Sequence, residues 1–206
     1  MEQYAIAVAT RKPVRLRTAS TQIQDSLTEA ALDLLESEGL AALTVRSVAT
    51  RAGVAPMGVY SRFGSKAGLL EALFVHGFTT LQTAIEVPHE RDALRRLRTG
   101  CLHYREFAIT HPQLYHLMFE QMMLLDLSPE ALDVAHGTFG MLVDRVATTM
   151  QAGQLDDADP VEAAQQLWSA MHGAVSLEVA GVHFASNRKA NFEAMIAAML
   201  TGMGAR

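Results

Sequence analysis

The chain has 206 residues, of which 50% are hydrophobic and 19% are charged, and its formal net charge is -5. This is enough apolar material for a sizeable core in one or two domains, with some left for an oligomer interface. A single cysteine excludes an intramolecular disulfide and suggests a reducing compartment. No uncharged run reaches the ~18 residues of a membrane span, and Thr10–Pro13 interrupts any signal-peptide-like run, so we expect a soluble, cytoplasmic protein.

Residues 1–19 are predicted to form a basic tail. Arg11, Lys12, Arg15 and Arg17 cluster there, and no acidic residue follows Glu2. One interpretation is an arm that contacts the DNA backbone or reaches a minor groove. The other is a solvated extension without a partner.

The first helix is predicted from Thr21 to Glu38. Thr21 and Gln24 are spaced like a capping box, and apolar residues then repeat at helical spacing and form one stripe. Gly39 is expected to end this helix.

The stretch from Leu43 to Leu70 predicts a helix, a tight turn and two further helices. Thr44 can cap a short helix to Arg51, and Gly53 tolerates the turn. Ala55-Pro56 starts a second helix, and Ser65 caps a third, longer one. This layout is a helix-turn-helix. From Gly39 to Lys66 there are four basic residues and no acidic one, which indicates either a phosphate-binding surface or an ordinary solvated face.

The same stretch carries a family resemblance. Val48-Ala49, Ala52-Gly53-Val54, Val59-Tyr60, Phe63, Lys66 and Leu69-Leu70 together resemble the DNA-binding domain of TetR-family transcriptional regulators. The resemblance covers about residues 20–75. It implies DNA contacts by Thr44, Arg46, Ala55, Pro56, Met57, Gly58, Tyr60, Ser61, Arg62 and Lys66. Within that set, Thr44 and Arg46 would touch the backbone, the start of the second helix would face base edges, and Tyr60 and Lys66 would bind phosphate.

Positions 56 and 58 depart from the commoner pattern of that family, which has polar residues there. Pro56, Met57 and Gly58 offer a base no side-chain hydrogen bond, so contact with a thymine methyl or close backbone approach remains. Recognition of the DNA sequence would then depend on Arg46, Arg62, the tail and DNA shape. Core packing is the alternative for Tyr60, and it is the role that we expect for Phe63.

The remaining start and stop signals predict helices throughout. They are placed at Lys66 to about Val87, Arg91 to Thr110, Gln113 to about Leu125, Pro129 to about Ala152, Pro160 to about Val182, and Arg188 to about Met203. No stretch alternates like a strand. The expected fold is all-α with about nine helices. It is divided into a tail (1–19), a helix-turn-helix domain (20–66) and a helical effector-binding and dimerisation domain (67–206).

The second half resembles one C-terminal subfamily of TetR regulators, named for a Trp-His-Gly pattern. The matching residues are HPQLYHLMFE at 111–120, with Trp168, His172 and Gly173. The resemblance implies an effector site, for which the candidates are Tyr104, Phe107, Tyr115, Met118, Phe119, Met122, Trp168 and His172. It also implies a four-helix dimer interface built by the last two helices, with Leu167, Ala170, Ala174, Phe192, Met195 and Met199 as candidates. Plain core packing is the alternative for both sets.

No nucleophile–base pair suggests catalysis, and we expect no metal site and no cofactor. The sequence is interpreted as a homodimeric TetR-like regulator of double-stranded DNA. We expect a repressor that binds a palindromic operator and is released by a small apolar or aromatic effector. An effector-independent DNA-binding regulator and an all-α ligand carrier or enzyme are the alternatives.

Overall fold

The computed structural model describes residues 15–122 and 125–206, with side chains from residue 23 onward. This part of the chain contains nine α-helices and no strand. The helices are α1 Arg15–Glu38, α2 Val45–Arg51, α3 Pro56–Phe63, α4 Lys66–Ile85, α5 Ala93–Thr110, α6 Pro112–Phe119, α7 Pro129–Gln151, α8 Pro160–Val179 and α9 Arg188–Gly202. The all-α expectation is confirmed.

Local capping chemistry explains where most of these helices begin. Six helices follow a residue whose side-chain oxygen accepts a hydrogen bond from a backbone N–H of the first turn: Thr44, Ser65, Asp92, Ser128, Asp159 and Asn187. A proline stands in the first turn of α3, α6, α7 and α8, where its missing N–H costs nothing. The predicted starts at Thr44, Ala55-Pro56 and Ser65 are therefore confirmed, and so are those at Pro129 and Pro160.

The predicted capping box at Thr21 is wrong. Helix α1 begins at Arg15, so Thr21 lies inside the helix. Residues 15–20 contain no Gly or Pro, so nothing in the backbone chemistry stops the helix from extending. Residues 15–19 of the predicted tail belong to α1, and residues 1–14 lie outside the described chain. The C-terminal end is as predicted, because Gly39 has a φ of 80°.

Helix α6 is shorter than the sequence predicts. It ends at Phe119 rather than near Leu125. The sequence from Gln113 to Leu127 contains neither Gly nor Pro, so no local breaker marks this end. Helix α8 also ends three residues earlier than predicted, at Val179. Gly181 follows it with a φ of 72°, a conformation that a residue with a side chain rarely adopts.

The helices pack into an N-terminal group and a ring. Helices α1, α2 and α3 pack together at the N-terminal end. In the rest of the chain, α4 packs on α5 and α7, and both α5 and α7 pack on α8, so that these four helices surround a common space. Helix α4 takes part in both groups, because it starts beside α3 and continues into the ring. No helix among the described residues is both long enough and apolar enough to cross a bilayer.

Candidate nucleic-acid interface and C-terminal cavity

Helix α3 is held by its buried side against α2. Val48 and Val59 are fully buried, and Phe63 packs partly buried against the same core. The turn between the two helices is closed at Gly53, whose φ of 68° suits glycine. The Val54 amide also donates to the carbonyl of Ala49 at 2.9 Å. Buried contacts on one side therefore leave the opposite side of α3 free for another molecule.

We call the exposed side of this unit the helix-turn-helix face, and it consists of the ten predicted DNA-contact residues. Eight of them are exposed: Thr44, Arg46, Ala55, Pro56, Met57, Tyr60, Ser61 and Lys66. Gly58 and Arg62 are half-buried. Met57 is 73% exposed and Tyr60 is 49% exposed, so both side chains are accessible to another molecule. All ten residues lie between Thr44 and Lys66, on α2, α3 and the residues that flank them, and most of them are exposed.

The N-terminus of α4 adds backbone donors beside this face. The Ser65 hydroxyl accepts from the Gly68 amide at 3.1 Å. The amides of Lys66 and Ala67 have no hydrogen-bond partner among the described residues. Unpaired amides at a helix start, with an exposed lysine, attract an anion such as a phosphate. Gly68 is required for this packing, because an added Cβ would collide with the Phe63 carbonyl oxygen.

One basic residue of this stretch is already paired with carboxylates. The Arg51 guanidinium makes ion pairs with Asp33 and Glu38 of α1, the second at 2.6 Å. Its charge therefore ties α2 to α1. Arg46, Arg62 and Lys66 carry the remaining positive charge of this stretch, and the Arg62 Nε is buried without a hydrogen-bond partner among the described residues.

The ring of helices encloses a cavity of about 480 Å³, which we call the C-terminal cavity. Its walls come from α4, α5, α7 and α8, with two residues from α6 and the connection after it. The lining residues are Phe78, Leu81, Ile85, Leu97, Gly100, Cys101, Tyr104, Phe119, Met122, Leu132, Ala135, His136, Thr138, Phe139, Leu142, Arg145, Gln165, Trp168 and Met171. A volume of this size and a mostly apolar wall are typical of small-molecule sites.

A buried polar network adjoins the cavity. The Tyr115 hydroxyl lies 2.7 Å from His172 Nδ1, and the Tyr104 hydroxyl lies 3.0 Å from that of Tyr115. Burial lowers the pKa of His172, so its imidazole is neutral and Nδ1 can accept a hydrogen bond. Burial also raises the pKa of Tyr115 to about 12 and that of Tyr104 well above its ordinary value. Both phenols therefore stay protonated and donate, and Tyr104 presents this network to the cavity.

The structure divides the eight predicted effector residues into two groups. Tyr104, Phe119, Met122 and Trp168 line the cavity. Phe107, Tyr115 and Met118 are buried in the core, and His172 stands behind Tyr104, so these four support the wall from outside.

The predicted interface residues divide in a similar way. Leu167 and Phe192 are buried in the core of their own protomer, so they offer no surface to a partner. Ala170, Ala174, Met195 and Met199 are partly exposed.

Sequence reasoning missed Arg145 and Gly100. Arg145 is a cation in the cavity wall, and Gly100 leaves room for it, because an added Cβ would collide with its guanidinium. No local pattern on α7 distinguishes Arg145 from the surface charges next to it. Cys101 also lines the cavity, and burial raises the pKa of its thiol to about 12, which keeps it protonated and unreactive.

Comparisons with known proteins agree with this arrangement. Residues 27–73 match the family model for bacterial regulatory proteins of the TetR family. Residues 97–199 match the one for the tetracyclin repressor-like C-terminal domain. A helix-turn-helix transcriptional regulator of Mycobacterium tuberculosis, described as uncharacterized, is 28% identical over 186 residues, which cover 89% of this chain and 82% of that protein.

Solved structures share the fold. A protein of unknown function from Rhodococcus sp. RHA1 aligns with a TM-score of 0.80 at 24% identity, covering 88% of this chain and 95% of its own. A TetR-family regulatory protein from Rhodococcus RHA1 aligns with a TM-score of 0.68 at 20% identity, covering 90% of this chain and 98% of its own.

The fold and the helix-turn-helix face therefore define a DNA-binding transcriptional regulator of helix-turn-helix type. The chain belongs to the TetR family. The family is one of transcriptional regulators rather than of enzymes, as the sequence led us to expect.

Proposed function

We propose that the chain is a homodimeric, ligand-responsive repressor that binds a palindromic operator in the cytoplasm and is released by a small apolar or aromatic effector. One observation carries this proposal: the same protomer presents an exposed, positively charged helix-turn-helix face and encloses a mostly apolar cavity of about 480 Å³. A DNA-binding face and a ligand cavity can each occur in a protein that lacks the other. Together they supply the two sites that a ligand-controlled regulator requires.

At the DNA, Thr44 and Arg46 contact the backbone, and the Tyr60 hydroxyl binds a phosphate. Lys66 and the unpaired amides at the start of α4 hold a second phosphate. The exposed side chains of Pro56 and Met57 pack against base edges, where a thymine methyl is their natural partner. The other members of the face, Ala55, Gly58, Ser61 and Arg62, lie within reach of the same groove.

Helix α4 supports coupling between the two sites. It begins at Lys66 beside the helix-turn-helix face and ends at Ile85 in the cavity wall, a distance of about 30 Å for a helix of this length. An effector that favours one position of α4 over another shifts the position of the phosphate site. By linkage, operator DNA then weakens effector binding by the same factor.

Helix α6 supplies a second connection. The Glu36 carboxylate of α1 accepts from the amides of Gln113 and Leu114, at 3.2 and 3.0 Å. At the other end of α6, Phe119 lines the cavity. A ligand that displaces Phe119 therefore moves α6. Because the Glu36 carboxylate of α1 caps α6, this movement also acts on α1.

The exposed sides of α8 and α9 support dimerisation. Along α9, exposed positions repeat at helical spacing and carry small residues: Ala190, Ala194, Ala197, Ala198 and Thr201. Gly173 is exposed on α8, and nothing lies within 4 Å of where its Cβ would stand. Leu177 is 54% exposed, and Phe184 in the following connection is fully exposed. Small faces beside exposed apolar side chains suit close packing of helices from two protomers.

The proposal is tested by selecting DNA from a pool of randomised duplexes with the purified protein and sequencing what is retained. We expect an inverted repeat whose half-sites are separated by about one helical turn or a multiple of it, because a two-fold dimer presents two α3 helices. A chain with the four substitutions Arg46→Ala, Tyr60→Ala, Arg62→Ala and Lys66→Ala is the control and should enrich nothing. A single unrepeated half-site would contradict the dimer, and no enriched sequence would contradict operator recognition.

A further inference from the structure

Arg145 is the feature of the C-terminal cavity that an apolar ligand does not explain. It is the one Lys or Arg among the described lining residues, and none of those residues is an Asp or Glu. Its side chain is 12% exposed. Arg145 also lines a smaller, polar pocket together with Glu86, Arg96 and Asp144. A cation that is largely withdrawn from water is costly to maintain unless it is paired, so its partners decide whether it can take a ligand.

The partners of Arg145 within the protein satisfy it incompletely. One nitrogen, Nη1, donates to the carbonyl of Ile85 at 2.8 Å. The nearest carboxylate oxygen is Glu86 Oε2, 3.7 Å from Nη2 and on a side chain that is 53% exposed. A guanidinium has five N–H donors, so donors remain available for a further acceptor. Burial lowers the pKa of Arg145, yet an arginine stays charged at neutral pH.

The side chains that line the cavity are unevenly distributed along α7. The α7 residues in the wall run from Leu132 to Arg145, which is about 20 Å of helix. Near Tyr104 the wall is aromatic and carries Phe119 and Trp168. At Arg145 the neighbours are Gly100 and Ile85, and the absence of a side chain at Gly100 keeps space for the guanidinium. The cavity therefore follows α7 for several turns, has a mostly apolar wall, and carries one arginine near the Ile85 end of α4.

We propose that this cavity binds an elongated apolar molecule that ends in a carboxylate, and that the carboxylate pairs with the Arg145 guanidinium. Arginine binds carboxylates through two parallel N–H···O bonds, which fixes the orientation of the ligand. The apolar part then lies along α7 toward Phe119 and Trp168. This inference rests on the proposed effector site and narrows its ligand to an acid.

The test is calorimetric titration of the full-length, DNA-free protein with decanoate, 1-decanol and decylammonium. The two charged probes are kept below their micelle-forming concentrations and 1-decanol below its solubility limit. The three probes share one chain and differ in the charge of the head group. We expect decanoate to bind at least about tenfold more tightly than 1-decanol, because a hydrogen bond to a charged group is worth that much. Decylammonium should bind more weakly than both. Equal affinities, a preference for decylammonium or no binding of any probe would overturn the proposal.

Two variants separate charge from structure. Arg145→Met should abolish the preference for decanoate over 1-decanol, whereas Arg145→Lys should keep most of it. Thermal unfolding of both variants shows whether they are folded. If Arg145→Met does not fold, the comparison of Arg145→Lys with the wild type still tests whether a cation at this position binds the carboxylate. A lysine variant that binds the acid no better than the alcohol, although folded, would overturn the pairing.

The same probes separate this inference from the proposed regulation. Each is added to the protein bound to its selected operator, and release is followed by fluorescence anisotropy. If decanoate binds through Arg145 and does not release DNA, the acid site stands and effector control fails. If only 1-decanol binds and releases DNA, effector control stands and the acid site fails.

Discussion

Tyr104, Tyr115 and His172 form a polar cluster inside an apolar domain. The cluster is stable because both phenols are protonated and can donate, while the imidazole is neutral and can accept. The imidazole must be neutral for Nδ1 to accept the Tyr115 hydroxyl at 2.7 Å. Burial enforces this by lowering the pKa of His172. The cluster is thus a structural support for the cavity wall, and it depends on pH.

The sign of that dependence follows from the direction of the pKa shift. Below the ordinary histidine pKa of 6.5, His172 is protonated in the unfolded chain but stays neutral in the folded chain. The free energy of unfolding therefore falls as the pH is lowered below about 6.5. The pKa of His76 is also lowered by burial and contributes in the same direction. We expect the loss to stay under about 1.4 kcal/mol per pH unit for each histidine.

Chemical denaturation between pH 5 and pH 7 measures this loss. His172→Asn keeps an acceptor near the position of Nδ1 but does not titrate, so its stability should vary less with pH than that of the wild type. His89→Asn, at an exposed position, is the control and should follow the wild type. A His172→Asn curve parallel to the wild-type curve would show that the histidine does not carry the effect.

Single residues also show why part of the candidate site could not be predicted from the sequence. Thr44, Tyr60 and Lys66 could be placed because the helix-turn-helix has fixed spacing. The ion pairs of Arg51 with Asp33 and Glu38 join residues 18 and 13 positions apart. Arg145 meets the carbonyl of Ile85 across 60 positions. Such contacts are set by how helices pack, and no local pattern carries them.

Among the secondary-structure elements, starts were more predictable than ends. A start depends on one capping oxygen and a proline, as at Ser128 and Pro129, and both are visible in the sequence. The end of α6 at Phe119 has no such signal, because neither Gly nor Pro occurs between Gln113 and Leu127. The N-terminus of α6 adds a further case, because its cap comes from Glu36 of another helix.

The cap on α6 makes a testable prediction. Glu36→Ala removes the acceptor for the amides of Gln113 and Leu114, so we expect the protein to lose about 1–3 kcal/mol of stability. Hydrogen–deuterium exchange should also become faster at these two amides. Glu29→Ala, at an exposed position of the same helix, is the matched control and should stay within about 0.5 kcal/mol of the wild type. Unchanged protection of α6 in Glu36→Ala would contradict the capping role.

On the scale of the whole molecule, the described residues leave two surfaces exposed that the proposal uses: the helix-turn-helix face and the small-residue side of α8 and α9. The proposal assigns DNA to the first and a second protomer to the second. The two assignments depend on each other, because a palindrome is read by a two-fold pair of α3 helices.

The dimer surface is tested by placing a charge in it. Ala197 is exposed on α9, and Ala197→Arg would bury an unpaired guanidinium between protomers, at a cost of several kcal/mol. We expect the dissociation constant of the dimer to rise at least about a hundredfold in analytical ultracentrifugation. Thr79→Arg, at an exposed position of α4, is the control and should leave the dimer intact. Identical sedimentation of Ala197→Arg and the wild type would place the interface elsewhere.

The most direct test of the central claim is fluorescence anisotropy with the selected operator and a scrambled duplex over a salt series. The wild type should bind the operator at least about a thousandfold more tightly at roughly 0.15 M salt. The double variant Tyr60→Phe, Lys66→Ala should weaken binding to both duplexes and flatten the salt dependence by about one unit of slope. Arg98→Ala, at an exposed position of α5, should change neither. Equal affinity for the two duplexes, or a double variant that binds like the wild type, would contradict recognition of DNA through the helix-turn-helix face.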